Sequence, residues 1–437
     1  MIAFKRVLVL GTGPVSIQLA VALKKNLNCT IGIVGRQSVR SEPFFSSLSE
    51  NGQMVRVDIQ NEKHRKMASE CRVDHLFHDY GSVSGDWDTI VLSVTADAYI
   101  EVLKKINDDV LKKVKCLALI SPTFGSSILV EKYMKDRHVN AEIISFSTYL
   151  GDTRWMSSMP SNHVITTGVK KKLYIGSTNN SSPNLDTLLD LFDGLGVTLE
   201  AVDSPMEAET RNISLYVHPP LFMNDFTLGV IFDNAETKKF VYKLFPEGPI
   251  TQYLIHEILS LWKEVMRLIA KLDIQEVNLL KFMVDDNYPV RAESLSRRDI
   301  EDFPHLEAIH QEYLLFIRYA SLLIDPFSKP DREGRYFDFS AVPIQRMFVN
   351  KEGCLDIPRM PKEDYYRLKI IQGISKYLDS RCPTIDAFIT RYERKIREVA
   401  DSHQEAVLSE AFVPQGFESD LSRICSGLEN RFVDERV

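Results

Sequence analysis

Two hydrophobic periods divide the chain. Up to about residue 205, short apolar runs alternate with stretches of helical spacing. Val7–Leu10, Thr30–Val34, Thr89–Val94, Cys116–Ile120 and Ala141–Phe146 have the length and composition of buried strands. Pro14–Lys25, Asp97–Ile106 and Ser126–Met134 carry helical spacing between them. This alternation predicts a parallel sheet with helices on both faces. Segments 164–167, 172–176 and 198–202 predict further strands, antiparallel at the sheet edge. Beyond about Pro205 the apolar residues recur every three to four positions, in 251–272, 307–324, 362–379 and 384–400. Leu254, Ile258, Leu261, Val265 and Leu268 are one such series. The second half is therefore expected to be mostly helical, with aromatic-rich loops such as 336–343.

The first strand runs into Gly11-Thr12-Gly13-Pro14-Val15-Ser16, which opens the first helix. A dinucleotide pyrophosphate needs such a turn. Unpaired N–H groups and the positive end of a helix dipole meet its charge there. Gly11 makes the tight turn, Gly13 leaves room for phosphate, and the third position must be small where helix packs on strand. Ser16 is small enough. The alternatives are a tight turn without a ligand and a methyltransferase. NAD enzymes and methyltransferases usually place a carboxylate after the second strand, but here the sequence is Val34-Gly35-Arg36-Gln37-Ser38-Val39-Arg40. Arg36 stands where a 2′-phosphate would lie, with Ser38 as a donor and Arg40 as a second cation, which favours NADPH. Thr95, and Pro122 with Thr123, follow later strands and are expected to line the same crevice. The fold expected is α/β. Residues 1–205 form a Rossmann-type doubly wound parallel sheet that binds NADP, and residues 206–437 form a mainly helical domain for substrate binding and dimerisation.

Bulk composition narrows the partners. With 53 basic and 60 acidic residues among 437, the net charge is −7, a poor match for nucleic acid or an anionic membrane. No secretory leader and no apolar run of 18 residues is present, so a cytoplasmic protein is expected. The six cysteines are scattered without a Cys-x-x-Cys pair, and no His, Cys or carboxylate cluster has metal-ligand spacing.

Two segments are dense in polar residues, 145–154 (SFSTYLGDTR) and 210–225 (TRNISLYVHPPLFMND). The first ends a predicted strand and is expected to reach the cofactor crevice; the second is expected to face it from the helical half. His218 precedes Pro219-Pro220, which argues against a mid-helix position. Taken alone, His218 is also compatible with a capping or core histidine, and Asp152 with a turn or N-cap residue.

Taken together, GTGPVSIQLA, SPTFGS, ISFSTYLGDTR, ITTGVKKKLY, SLYVHPPLFMNDF, YKLFPEGPIT, LIDPFS, YFDFSAVP and the 357–367 stretch closely resemble the opine metallophore dehydrogenases, from Val7 to about Tyr392. The resemblance implies a reductive condensation. A primary amine of a nicotianamine-like histidine–aminobutyrate intermediate attacks the ketone of pyruvate or 2-oxoglutarate. Water leaves, and NADPH reduces the imine to an opine-type chelator of zinc, nickel, cobalt or copper. Metal then belongs to the product, not the protein. By the same resemblance Asp152 and His218 fall at the acid–base positions, and Arg36 matches the arginine that grips the 2′-phosphate. The family's second basic grip falls near Glu42, so Arg40 is the candidate substitute. A homodimer is implied. Arg154, Arg211 and Lys243 are candidate donors to the substrate carboxylates, with ordinary surface salt bridges as the alternative. Two other readings remain: a different opine or saccharopine-like amino-acid dehydrogenase, and a non-catalytic NADPH sensor.

Overall fold

The computed structural model describes residues 3–233, 237–323, 330, 332–334, 338 and 340–434. Ile324–Ser328 of the LIDPFS motif and Tyr336, Phe337 and Phe339 of the 336–343 loop lie outside these residues. The chain divides into two compact units, Met1–Asn212 with Ser419–Val437, and Ile213–Glu418.

The first unit contains strands β1 (Arg6–Leu10), β2 (Thr30–Val34), β3 (Met54–Ile59), β4 (Ser69–Arg72), β5 (His75–Phe77), β6 (Thr89–Leu92), β7 (Cys116–Leu119), β8 (Glu142–Phe146), β9 (Gly151–Trp155), β10 (His163–Val169), β11 (Lys172–Ser177) and β12 (Thr198–Val202). Its helices are α1 (Pro14–Leu27), α2 (Glu42–Glu50), α3 (Tyr99–Leu103), α4 (Asp108–Leu111), α5 (Ser126–Lys135), α6 (Pro183–Leu195) and α7 (Pro205–Thr210). The main sheet has the order β12-β11-β8-β7-β6-β1-β2-β5. It is parallel except that β11 runs antiparallel to β8, with β12 parallel to β11 at that edge. Residues 7–10 of β1 are fully buried. A parallel strand covered on both faces reads as a continuous apolar run, and this is why these strands were legible. Each such side chain contributes roughly 1.5–3 kcal/mol by leaving water.

Four strands of the main sheet's neighbour form a second sheet, β4-β3-β10-β9. The 164–167 segment belongs to it and not to the main sheet's edge: β10 pairs with β3 and β9. Helix α1 packs against strands of both sheets, so its buried residues include Gln18 as well as Ile17, Leu19 and Val21. The predicted helix 97–106 is shorter, a 3-10 turn at Ala96–Ala98 followed by α3. The first unit extends past Pro205 to Asn212, because α7 packs on β8, β11 and α5.

The second unit comprises α8 (Ser214–Phe222), α9 (Asp225–Phe232), α10 (Gln252–Ala270), α11 (Leu279–Lys281), α12 (Arg297–Asp302), α13 (Ala308–Ala320), α14 (Arg359–Tyr377) and α15 (Pro383–Ser402), with a π-helical turn at Phe282–Asn287. The apolar series of α10, from Leu254 to Leu268, is buried against α8, α13 and α15. The last helix, α16 (Glu418–Asp434), lies tight on α5 of the first unit: a Cβ on Gly427 would stand 2.4 Å from Ile128 Cγ2. Among the described residues no helix is long and apolar enough to cross a membrane, and no group of three His, Cys, Asp or Glu side chains is placed to hold a metal ion.

Candidate active site

The chain reverses its strand order at β1, which lies between β2 and β6. Open α/β sheets bind ligands at such a switch, outside the carboxyl ends of the strands. There Gly11 turns with φ +133°, and a Cβ on it would stand 2.9 Å from Ser93 Oγ. The Ser93 hydroxyl donates to the Leu10 carbonyl at 2.7 Å, so Ser16, 2.8 Å away, donates in turn to Ser93. Ser16 thus fills the third small position and joins helix α1 to the end of β6. Gly13 is the N-cap of α1. A Cβ there would meet nothing within 4 Å, no side chain caps the helix, and its first turn holds no acid. The helix N-terminus is open to an anion, as a pyrophosphate requires. Thr12, Pro14 and Val15 are half-buried around this turn. Gly35, not singled out from sequence, is equally constrained: its Cβ would lie 2.2 Å from Thr12 Cγ2. A glycine directly after the second strand was the available signal.

Arg36 and Arg40 are exposed on the loop after β2, and Ser38 is half-buried. Ser41, also overlooked, knits this loop. Its hydroxyl donates to the Arg36 carbonyl at 2.6 Å and accepts from the Ser38 amide at 3.1 Å. The Arg36 main chain is therefore fixed while its guanidinium is exposed. Glu42 is the first residue of α2 and exposed.

Thr95 is exposed at the start of the 3-10 turn after β6. Pro122 and Thr123 are buried, and the Thr123 amide donates to Ser126 Oγ at 3.0 Å. This turn leads into α5, whose start is held by Glu209, a residue that sequence reasoning missed. Its carboxylate caps α5, accepting from the Gly125 amide at 2.8 Å, the Ser127 amide at 2.7 Å and the Ser145 hydroxyl at 3.0 Å. Burial pushes the Glu209 carboxyl from 4.5 up to about 7, against these hydrogen bonds. Between those values the native state holds more protons than the unfolded one, so this group lowers stability as pH rises through that window, by about 3 kcal/mol. Urea titrations at stepped pH are expected to give a flatter limb between about pH 4.5 and 7 for Glu209→Gln. A limb as steep as wild type would assign the titration elsewhere.

Asp152 and Arg154 share the exposed face of β9. The β10 partner strand shifts register between Thr166 and Gly168, and the extra residue, Thr167, donates its hydroxyl to Asp152 Oδ2 at 2.7 Å. Bulges re-aim side chains in this way. Gly151 is needed beside it, since its Cβ would fall 2.0 Å from the Gly168 carbonyl oxygen. On the opposite face Tyr149, Thr153 and Thr166 form a hydroxyl chain that ends on Gln18 of α1. The strand that carries Asp152 is thereby fastened to the helix that carries Gly13.

In the second unit His218 lies within α8, followed in the same helix by Pro219 and Pro220. The expectation that proline would keep His218 out of a helix is overturned. Leu215, Tyr216, Pro219 and Leu221 are all buried, and packing on α10 and α14 outweighs the hydrogen bonds that two prolines remove from nine residues. His218 Nδ1 is 4.0 Å from Asp364 Oδ1, with side-chain exposures of 21% and 0%. Asp364 also pairs with Arg367, which donates to the Ser214 carbonyl at 3.3 Å. Burial pushes the Asp364 carboxyl up to about 7, against the pull of Arg367. The legible signal was a carboxylate on the buried face of α14, in register with Tyr365, Leu368 and Ile371.

Two of the three basic candidates form ion pairs within the chain. Arg211 pairs with Glu207 at 2.9 Å, and Lys243 with Asp338 at 2.5 Å. Arg154 is exposed on β9.

Residues 5–428 match the model of the family described as staphylopine dehydrogenase. The chain is 47% identical to the staphylopine synthase of Staphylococcus aureus (strain Mu50 / ATCC 700699), over 97% of this chain and 98% of that protein. It is 34% identical to the pseudopaline synthase of Pseudomonas aeruginosa (strain UCBPP-PA14), over 90% of each. Among solved structures, yersinopine dehydrogenase with NADP+ bound superposes with a TM-score of 0.90 at 28% identity, covering 97% of this chain and 99% of that one.

Proposed function

The chain belongs to the staphylopine dehydrogenase family, and from that premise we propose that it is an NADPH-dependent opine metallophore synthase. It condenses the primary amine of a nicotianamine-like histidine–aminobutyrate compound with pyruvate or 2-oxoglutarate and reduces the imine to a staphylopine-type chelator. The observation that carries this reading is the histidine–carboxylate pair of α8 and α14, His218 with the buried Asp364.

The residues suit the nucleotide and the chemistry. The uncapped start of α1 at Gly13 would take the pyrophosphate, and Arg36 the 2′-phosphate. When bound, NADPH supplies the hydride that reduces the imine carbon. Imine formation needs an uncharged amine and a proton for the departing hydroxyl. His218 delivers and recovers that proton, because an imidazole titrates near neutrality. Asp364 stabilises the imidazolium when His218 is charged. Asp152, oriented by Thr167, accepts the proton that the amine sheds. The work is expected to run in a homodimer in the cytoplasm; light scattering checks the assembly.

A spectrophotometric assay tests the reading. NADPH absorbance is expected to fall only when the amine intermediate and a 2-oxo acid are both present, with the condensed product visible by mass spectrometry. Turnover with lysine or another ordinary amino acid would favour a saccharopine-like enzyme. Tight NADPH binding with no turnover on any pair would favour a sensor.

A further inference from the structure

Arg318 is a buried cation that this chemistry leaves unused. It sits in the last turn of α13 and is 5% exposed. Among the described residues its guanidinium makes one hydrogen bond, a long one of 3.5 Å from Nη2 to the Met283 carbonyl oxygen. Its Nε–H is buried without an acceptor, and no carboxylate pairs with it among those residues. The Tyr319 ring lies 5.2 Å away, and Tyr242 and Tyr288 are its other titratable neighbours.

Five donors with one weak acceptor is an expensive state for a buried charge. A ring face and one distant main-chain carbonyl recover only a fraction of the lost hydration. A guanidinium kept in this state is matched to an anion that arrives with the ligand. The neighbourhood points the same way. Tyr242 feels the charge of Arg318 and also that of Asp364, the residue paired with His218. Met283 belongs to the π-helical turn, a distortion frequent at functional sites, and Tyr288 just beyond it is 53% exposed.

We propose that Arg318 is the seat of a substrate carboxylate, gripped by the guanidinium fork, with Tyr242 as its hydroxyl neighbour. This rests on the synthase reading only for the ligand's identity, which is either the 2-oxo acid or the amino-acid-derived amine, since both carry carboxylates.

The full-length protein and its Arg318→Met and Arg318→Lys variants decide the matter through two readouts. In NADPH-oxidation kinetics, both variants are expected to raise the KM of one carboxylate substrate by roughly ten- to a hundredfold, with the KM for NADPH unchanged. The substrate whose KM moves is the one that Arg318 holds. In thermal melts of ligand-free protein, Arg318→Met is expected to melt at or above wild type, because an unpaired buried charge has been removed. Millimolar pyruvate, 2-oxoglutarate or the amine is expected to raise the wild-type melting temperature and to leave Arg318→Lys unmoved. If Arg318→Met melts several degrees lower and every KM of Arg318→Lys stays within about twofold of wild type, Arg318 is a structural cation and the proposal is overturned. Equal ligand shifts in wild type and Arg318→Lys overturn it too. A wild type that oxidises no NADPH but shows the carboxylate shift, lost in Arg318→Lys, sinks the synthase reading and leaves this site standing.

Discussion

Replacing His218 by alanine is expected to lower kcat by about two to four orders of magnitude, the span usual for general acid–base catalysis. The reasoning starts from burial. Asp364 is 0% exposed, and its carboxyl stands near neutrality with a guanidinium on one side and His218 on the other. A carboxylate so placed has little influence on solvent and much on the imidazole beside it. Removing the imidazole leaves that carboxylate nothing to act through, while the Gly13 turn and the Arg36 loop, in the other unit, are untouched. The measured signature is therefore a collapse in kcat with NADPH affinity intact, followed by the nucleotide's fluorescence on binding. Asp364→Asn is expected to be milder in rate and costlier in stability, since it leaves Arg367 buried without its anion. Full turnover in His218→Ala would remove the acid–base assignment.

Arg36→Asp is expected to act on the nucleotide alone. A charge-assisted bond from arginine to phosphate is worth roughly 1.5–3 kcal/mol, and reversing the charge adds repulsion. The KM for NADPH is therefore expected to rise by about two to three orders of magnitude, with the KM for NADH changed far less. Because Ser41 fixes the Arg36 main chain through its carbonyl, the substitution is expected to leave the loop in place. Arg40, two positions before the first residue of α2, offers a graded control: Arg40→Ala is expected to weaken NADPH only if that residue supplies the second cation. Equal losses for NADH and NADPH in Arg36→Asp would show that the 2′-phosphate is not what Arg36 recognises.

The cofactor end was the more legible part of the chain because its constraints are local. A buried parallel strand, a glycine turn and a proline-led helix occupy consecutive residues, and the shape of a pyrophosphate site is written in their spacing. Even there Gly35 was missed, since its need for a hydrogen in place of a side chain comes from Thr12, more than twenty positions earlier. The same holds for Glu209, whose partners Gly125, Ser127 and Ser145 lie on other elements.

By itself, then, the amino-acid order determined which runs become buried strands, where helix α1 begins, and which side of the second strand carries cations in place of an acid. It also suggested, wrongly, that two prolines would keep His218 out of a helix. Tertiary structure alone decided that point, together with the pairing of His218 with Asp364 and the isolation of Arg318 from any carboxylate among the described residues. The physical reason is common to all three. Backbone preference and periodicity act over a few residues and leave their mark in sequence. The burial that overrides a helix breaker, lifts a carboxyl toward neutrality or strands a guanidinium is set by side chains on other elements of the fold.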